Sequence, residues 1–314
     1  MKLCAVVVFF NPSKISNLKD NLLSYSAKLE RVYIVDNSDS DNGSLVQDIE
    51  NCVYIPNGKN IGIAGALNIG CERALKDGFD FAMTMDQDSF FEDRNFDNYL
   101  SFFKSYSENQ EIQSFAPRLK TLKNNIAISK KIRQNVLSPL KKKLLGRHYK
   151  FTVTSLEDIE YPKLVITSGN IINLEIWEKV GKFDETLFID EVDTDFCRRL
   201  ELFGYKIIRF NTVMLNHKIG EIRVTLFPKK TYHNNFRFYY IIRNGFIQKK
   251  RYGNLLKDSL AYEKVLLWRY FKDYCILDFH AFHHLIIFIK AYLNAKSYSK
   301  NDTFLQKVLE NKIN

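Results

Sequence analysis

The first strong pattern in the chain is an unbroken apolar run, Leu3 to Phe10, that stops at Asn11-Pro12. A run of that kind predicts a strand covered on both faces, since a half-wet strand would alternate apolar and polar positions. Leu18, Leu22 and Leu29 then suggest a helix, and Val32-Tyr33-Ile34-Val35 repeats the buried-strand pattern before the polar cluster Asp36-Asn37-Ser38-Asp39. Tyr54–Asn57 predicts a short third strand. The glycine-studded stretch Asn60–Leu75 leads into a helix, and Phe81–Met85 predicts a further strand that ends at Asp86-Gln87-Asp88. Downstream, Leu164–Thr167 is strand-like and meets Ser168-Gly169-Asn170. Leu174–Val180 and Val192–Leu202 have helical spacing with glycine stops at Gly181 and Gly204, and Val213–His217 is a late strand. Beyond residue 220 the pattern predicts helices, over Phe236–Gln248, Glu263–Leu277 and His280–Lys296. Strands alternating with helices predict an α/β fold with a mostly parallel central sheet flanked by helices, followed by a helical C-terminal extension.

Charge sharpens the division. The net charge of +10 is unevenly placed: residues 1–220 carry 29 Lys and Arg against 29 Asp and Glu, whereas residues 221–314 carry 17 against 7 and hold 19 of the 44 aromatic residues. The chain therefore divides into a neutral body, residues 1–220, and a basic, aromatic helical tail, residues 221–314. The five cysteines form no CxxC pair, which predicts reduced, buried thiols. The N-terminal run is short, β-branched and lacks a small-residue cleavage site, so it is expected to be a strand and not a secretory leader. No stretch approaches the ~18 apolar residues needed to cross a bilayer. A basic stretch over residues 119–150, with Lys141, Lys142, Lys143, Arg147 and Lys150, is expected to be a solvated surface loop or linker with a helical piece, nucleic-acid binding being the alternative.

Candidate chemistry lies where polar residues follow strands, the edge at which open α/β sheets bind ligands. Asp86 and Asp88 flank one residue at a strand end, so they can grip one hard cation that holds a diphosphate. Such a pair alone is common in surface turns; the preceding apolar strand gives it weight. Asp36 and Asn37 sit where a ribose or nucleobase edge would be read, although an Asx-rich turn has the same composition. Gly62, Gly65 and Gly70 follow no strand directly and precede no Lys-Ser/Thr, which excludes dinucleotide and P-loop readings. Asp190, Glu191, Asp193 and Asp195 cluster beyond what helix capping needs, and any of them near a leaving group can act as a general base. His217 closes the late strand as a metal or phosphate ligand, with a structural histidine as the alternative.

Taken in order, VVVFFNP, IVDNSD, NGKNIGIAGALNIG, MDQDS, GKFDETLFIDEVDTDFCRRLELFGY, NHKIG and YYIIRN resemble the inverting GT-A glycosyltransferases of family 2, most closely their rhamnosyltransferase-like branch. The resemblance spans about Leu3 to Asn244. It implies a GT-A catalytic domain with Phe10, Asp36, Asn37, Asn60, Gly62 and Asp86 around the nucleotide, and Asp86, Asp88 and His217 at Mg²⁺ or Mn²⁺. It implies Asp193 as the catalytic base, with Asp190 its rival. Asn37 stands where Asp is frequent, and Val192-Asp193 replaces the usual Glu-Asp pair. The implied donor is dTDP-L-rhamnose, with a UDP-hexose or UDP-galactofuranose as the alternative. The implied acceptor is a lipid-linked bacterial surface polysaccharide, of the O-antigen or capsule kind, at the cytoplasmic face of the cell membrane.

The tail follows the same logic. Arg237, Tyr239, Tyr240 and Arg243-Asn244 resemble a family element that closes the acceptor side. Trp268, Arg269, Tyr270, Lys272 and Tyr274 suit a membrane interface, while packing on the body or in a homodimer is the alternative use of the same surface. Two other classes compete. A nucleic-acid-binding protein would explain the charge, yet the neutral body offers no basic groove and the acidic motifs would have no use, so nucleic acid is not an expected partner. A nucleotidyltransferase would need a Gly-rich loop with Arg and Lys after the first strand, absent at Asn11–Ile15.

Overall fold

The apolar runs pair as their burial requires. Strands β1 (Leu3–Phe9), β2 (Val32–Asp36), β3 (Cys52–Pro56) and β4 (Phe81–Asp86) lie parallel in the order β3-β2-β1-β4. The structure, a computed structural model, describes all of residues 1–314 except 16, 93, 122–157, 218–221, 224–229, 232, 277, 279 and 314. Most of the basic stretch 119–150 and Lys218-Ile219-Gly220 thus lie outside the described residues.

Helices α1 (Leu18–Ser26) and α2 (Gly62–Lys76) connect the parallel strands. After β4 come β5 (Phe90–Phe91), α3 (Asn95–Tyr106), β6 (Ile112–Thr121), β7 (Ile159–Glu160), β8 (Asn170–Asn173), α4 (Leu174–Lys179), α5 (Val192–Phe203) and β9 (Lys206–His217). Strand β8 enters antiparallel beside β4, and β6, β9 and β5 extend the sheet in that order. Leu164–Thr167, expected as a strand, is irregular. Gly169 (φ 79°) turns the chain there, with Asn170 N donating to the Thr167 carbonyl, so ladder pairing starts only at Asn170.

The two faces of the sheet bury separate cores. Val6, Val8, Tyr33 and Val35 face α2, α4 and α5, while Ala5, Val7, Phe9 and Ile34 face α1 and α3. Gly70 lets α2 approach the sheet, since a Cβ there would collide with Val6. Helix α5 ends at Gly204 (φ 86°), the left-handed stop that its sequence predicts. The five cysteines are free, three of them buried.

Past a short hairpin of β10 (Ile222–Arg223) and β11 (Lys230–Thr231), the tail is helical: α6 (Asn235–Tyr252), α7 (Lys257–Tyr270), a π-helical turn Phe271–Ile276, α8 (Ala281–Tyr298) and α9 (Phe304–Ile313). The helix expected over Glu263–Leu277 therefore begins earlier and changes its winding at Phe271. Phe238, Ile242, Leu267, Tyr274 and Ala291 form a small core of their own.

A buried ion network ties this tail to the body. Arg251 donates to Asp184 (2.6 Å), Asp195 (3.1 Å) and Asp302 (2.5 Å). Asp195 also accepts from Arg199, Gln248 and Tyr252 at 2.8–2.9 Å. Burial alone would raise the Asp195 carboxyl, but Arg199 and Arg251 outweigh it and hold it below the usual range. Removing one partner from such a network strands the others without counter-charge. Arg251→Met is expected to destabilise the fold by roughly 3–5 kcal/mol, read as a lowered unfolding midpoint in urea. An unchanged midpoint would show that the network contributes nothing to holding the tail.

Candidate active site

The parallel strands end together, and that alone gathers the candidate residues. Phe9 of β1 pairs with Asp36 of β2, and Val8 with Asp86 of β4, so Phe10, Asp36-Asn37 and Asp86-Asp88 line one edge of the sheet. Gln87 fastens this edge: its side-chain amide donates to the Phe10 carbonyl (2.9 Å) and accepts from the Phe10 N–H (3.0 Å). The Phe10 ring stays 46% exposed, available as a flat apolar surface.

Asp36 and Asn37 turn inward and organise the neighbouring loops. Asp36 accepts from Tyr54 Oη (2.6 Å), Asn42 Nδ2 (2.8 Å) and the Ser38 N–H (3.0 Å). Burial would raise this carboxyl, but hydrogen bonds from Ser38, Tyr54 and Asn42 prevail and keep it below its ordinary value. Asn37 donates to Asn60 Oδ1 (2.9 Å) and the Gly62 carbonyl (3.1 Å), and accepts from the Ile61 N–H (3.0 Å). Asn60 in turn accepts from the Gly62 N–H (2.9 Å). Gly62 has φ 82°, and a Cβ there would meet the Phe188 carbonyl oxygen at 2.6 Å. Only glycine permits both the backbone conformation and the approach.

Asp86, Asp88 and His217 form an acidic–imidazole cluster in which one ligand atom from each lies within 4.8 Å of the others. His217 Nδ1 stands 3.6 Å from Asp86 Oδ2 and 2.9 Å from Ser89 Oγ, and Ser168 Oγ donates to Ser89 Oγ (2.8 Å). The Asp86 carboxyl is raised, first by burial and then by Asp88, with His217 opposing. Two crowded carboxylates beside an imidazole are a donor set that fits a divalent cation, and a cation would relieve their repulsion. Ser89 and Ser168 orient the histidine, a role that outer groups take around metal ligands.

The acidic segment divides its labour. Phe188 (φ 64°, ψ −64°) with the Ile189 N–H on the Leu187 carbonyl (2.8 Å) makes a positive-φ γ-turn. Asp190 (φ 61°) and Glu191 (φ 62°) follow in the left-handed region. Asn244, wholly buried on α6, donates its side-chain amide to the carbonyls of Leu187 (2.7 Å), Ile189 (2.8 Å) and Asp190 (3.0 Å). Arg237 grips both carboxylate oxygens of Asp190 at 2.9–3.1 Å. Asp195 belongs to the ion network. Asp193, in the first turn of α5, lines a cavity of about 390 Å³ together with Ser168, Thr194, Glu191 and Arg209. Burial pushes its carboxyl up to about 6; the Thr194 N–H (2.8 Å) partly offsets this, and the charges of Asp190 and Asp86 add to it. Ser168 thus sits in one cleft with Asp193 while bonding to Ser89 beside the acidic cluster.

Gln87, Ser89, Ser168 and Phe188 were not singled out in the sequence. The first two interleave with Asp86 and Asp88, and Ser168 precedes a turn glycine; these positions were their only local signal.

The Glycosyl transferase family 2 profile matches residues 4–155. The dTDP-rhamnosyl transferase RfbF of Shigella flexneri is 30% identical over 248 residues, 77% of this chain and 78% of the relative. Two solved structures share the fold. TarS of S. aureus superposes with TM-score 0.54 at 13% identity, covering 99% of this chain and 55% of its own, so the chain spans about half of TarS. The mannosyltransferase PcManGT of Pyrobaculum calidifontis, in complex with GDP-Man and Mn²⁺, gives TM-score 0.53 at 12% identity, covering 99% and 87%.

Calorimetric titration with Mn²⁺ tests the acidic cluster. Asp88→Ala is expected to abolish saturable binding, and Ser89→Ala to weaken it about 10–100-fold through the loosened histidine. Unchanged binding in Asp88→Ala would remove the cluster as a metal site.

Proposed function

Since the chain belongs to glycosyl transferase family 2 and is a glycosyltransferase that takes a nucleotide-sugar, we propose for it the transfer of L-rhamnose from dTDP-L-rhamnose to a glycan hydroxyl, with inversion at the anomeric carbon. The observation that carries the mechanism is the link between a half-buried, proton-hungry Asp193 and the Asp86, Asp88 and His217 cluster: Ser168 lines the cavity of Asp193 and bonds to Ser89, which bonds to His217. The sugar assignment is supported by the Shigella relative, a dTDP-rhamnosyl transferase. A UDP-hexose or UDP-galactofuranose donor is the alternative, and a panel of nucleotide-sugars separates them by thermal stabilisation.

In this reading the Phe10 ring stacks on the nucleobase, and the Asn37, Asn60 and Gly62 knot shapes the donor floor. Asp36, with both carboxylate oxygens engaged by protein donors, holds that floor in place. Asp86, Asp88 and His217 would hold a Mg²⁺ or Mn²⁺ at the diphosphate end, and such an ion would supply positive charge for the departing group. Asp193 accepts the proton of the acceptor hydroxyl, whose oxygen attacks the anomeric carbon as the bond to the diphosphate breaks. One displacement from the opposite face inverts configuration and needs no covalent glycosyl-enzyme. Arg237 already engages both oxygens of Asp190, which supports Asp193 over Asp190 as the base.

The acceptor is proposed to be a growing lipid-linked surface polysaccharide at the inner face of the cell membrane. An open groove of about 520 Å³, lined by Thr186, Phe188, Tyr239, Tyr240, Arg243 and Tyr298, adjoins the strained turn and offers aromatic faces and polar groups to a sugar. No helix among the described residues is long and apolar enough to cross a membrane. Attachment would therefore use the basic, aromatic surface of the tail, which a homodimer would otherwise bury.

Asp193→Asn is expected to lower kcat by about 10²–10⁴-fold, with no fall in Tm at pH 8 because an amide is no harder to bury than a carboxylate. In the parent enzyme a base works only when deprotonated, so kcat/KM should fall as pH drops through about 6 and level off above it. Full activity in Asp193→Asn, or an acid limb that persists in it, would assign the base elsewhere.

A further inference from the structure

Lys249 and Lys250 at the end of α6 face Lys296 and Lys300 at the end of α8 across a groove of about 580 Å³. Its floor is apolar, from Phe246 and Tyr292, and no carboxylate lines it. None of the four ammonium groups is engaged by a carboxylate among the described residues. Four cations converging on one groove repel one another, and that cost is relieved by an anion carrying several oxygens.

The groove does not stand alone. Phe282, Ile286, Ile289 and Leu293 repeat at helical spacing along α8 and are 48–77% exposed. Lys296 continues the same stripe by a further step of three residues and Lys300 follows just past the helix end, so the apolar face gives way to cations as it reaches the groove. A ladder of ring contacts reaches the same place from α7: Trp268 to Phe271 (5.8 Å), Phe271 to Phe288 (5.1 Å), Phe288 to Phe246 (5.9 Å) and Phe246 to Tyr292 (4.9 Å). Trp268, at its far end, is 61% exposed. An occupant must therefore be anionic at one end and extended and apolar along the rest.

We propose that this groove binds the phosphate headgroup of an anionic lipid, with the α8 stripe and Trp268 resting among the acyl chains. The proposal rests on the membrane-surface reading of the tail and gives that reading a site. Polyanionic nucleic acid would use the lysines but would leave the apolar stripe in water, whereas an anionic bilayer uses both.

Flotation with vesicles of phosphatidylcholine, with and without phosphatidylglycerol, tests it on the full-length protein without donor or acceptor. The protein should float with the anionic vesicles and stay down with the neutral ones. The Lys296→Ala/Lys300→Ala pair should weaken binding roughly fivefold per lysine, about twenty-five-fold together. Ile286→Ser/Leu293→Ser should weaken it at every salt concentration, since screening does not touch apolar burial. The control pair Lys104→Ala/Lys307→Ala lies outside the groove and its apolar stripe and should change binding far less. Equal losses in the two lysine pairs would indicate a diffuse basic surface and overturn the site. So would binding of inorganic phosphate without vesicle binding, which marks a site for free phosphate, or a lysine-dependent gel shift with an oligonucleotide and no flotation. A protein that floats but transfers no sugar leaves this proposal standing, and one that transfers sugar without floating refutes it alone.

Discussion

Everything in this molecule meets at five residues, Leu187 to Glu191. Three of them, Phe188, Asp190 and Glu191, hold positive φ without being glycine, at a cost of about 1–3 kcal/mol each. Such a backbone persists only if its surroundings leave it no alternative. Asn244 takes three of its carbonyls, Arg237 takes the Asp190 carboxylate, and the Phe188 carbonyl accepts from the Ile63 N–H at 2.7 Å. The Phe188 ring stacks on Tyr240 with centroids 5.1 Å apart. Relaxing this turn would swing the start of α5, and Asp193 with it, away from the strand-end aspartates.

The same turn explains why the tail is no appendage. Its first helix contributes Arg237, Tyr240, Asn244, Gln248 and Arg251, all on the side facing the turn and α5. On the other flank, Gly62 lets the start of α2 touch Phe188, so the proposed donor floor and the turn leading into α5 share one contact. The Asn37, Asn60 and Gly62 knot and the start of α5 are thereby fixed relative to one another by short polar contacts, and preorganisation of that kind is what the proposed single displacement needs.

Much of this was legible in the chain. The apolar runs at Leu3, Val32 and Phe81 specify buried parallel strands, and their polar ends specify the ligand edge, because sheet geometry brings strand termini together whatever the connections do. Gly204 marked the end of α5 through its required backbone conformation. Asp86, Asp88, Asp193 and His217 were readable as candidates from residue type and position. Helix α3, with Phe96, Tyr99 and Phe103, and α9, with Phe304, Leu305, Val308 and Leu309, also carry legible helical spacing, although neither helix is among the expected elements. Other features were not legible. Leu164–Thr167 has strand composition, but Gly169 decides where pairing begins. The division of labour among Asp190, Asp193 and Asp195 was legible only through the resemblance and not in the residues themselves, since it depends on Arg237 and Arg251, which arrive from a helix more than 40 residues downstream.

The central claim is that a cation and a departing diphosphate sit between the strand-end aspartates while Asp193 waits across the cleft. A crystal grown with Mn²⁺ and dTDP, with anomalous differences measured for the metal, addresses it most directly. The expected result is one peak coordinated by Asp86, Asp88 or His217 and by the diphosphate, with Asp193 opening on the same space. A peak bound elsewhere, or a diphosphate lying away from that cleft, would contradict it.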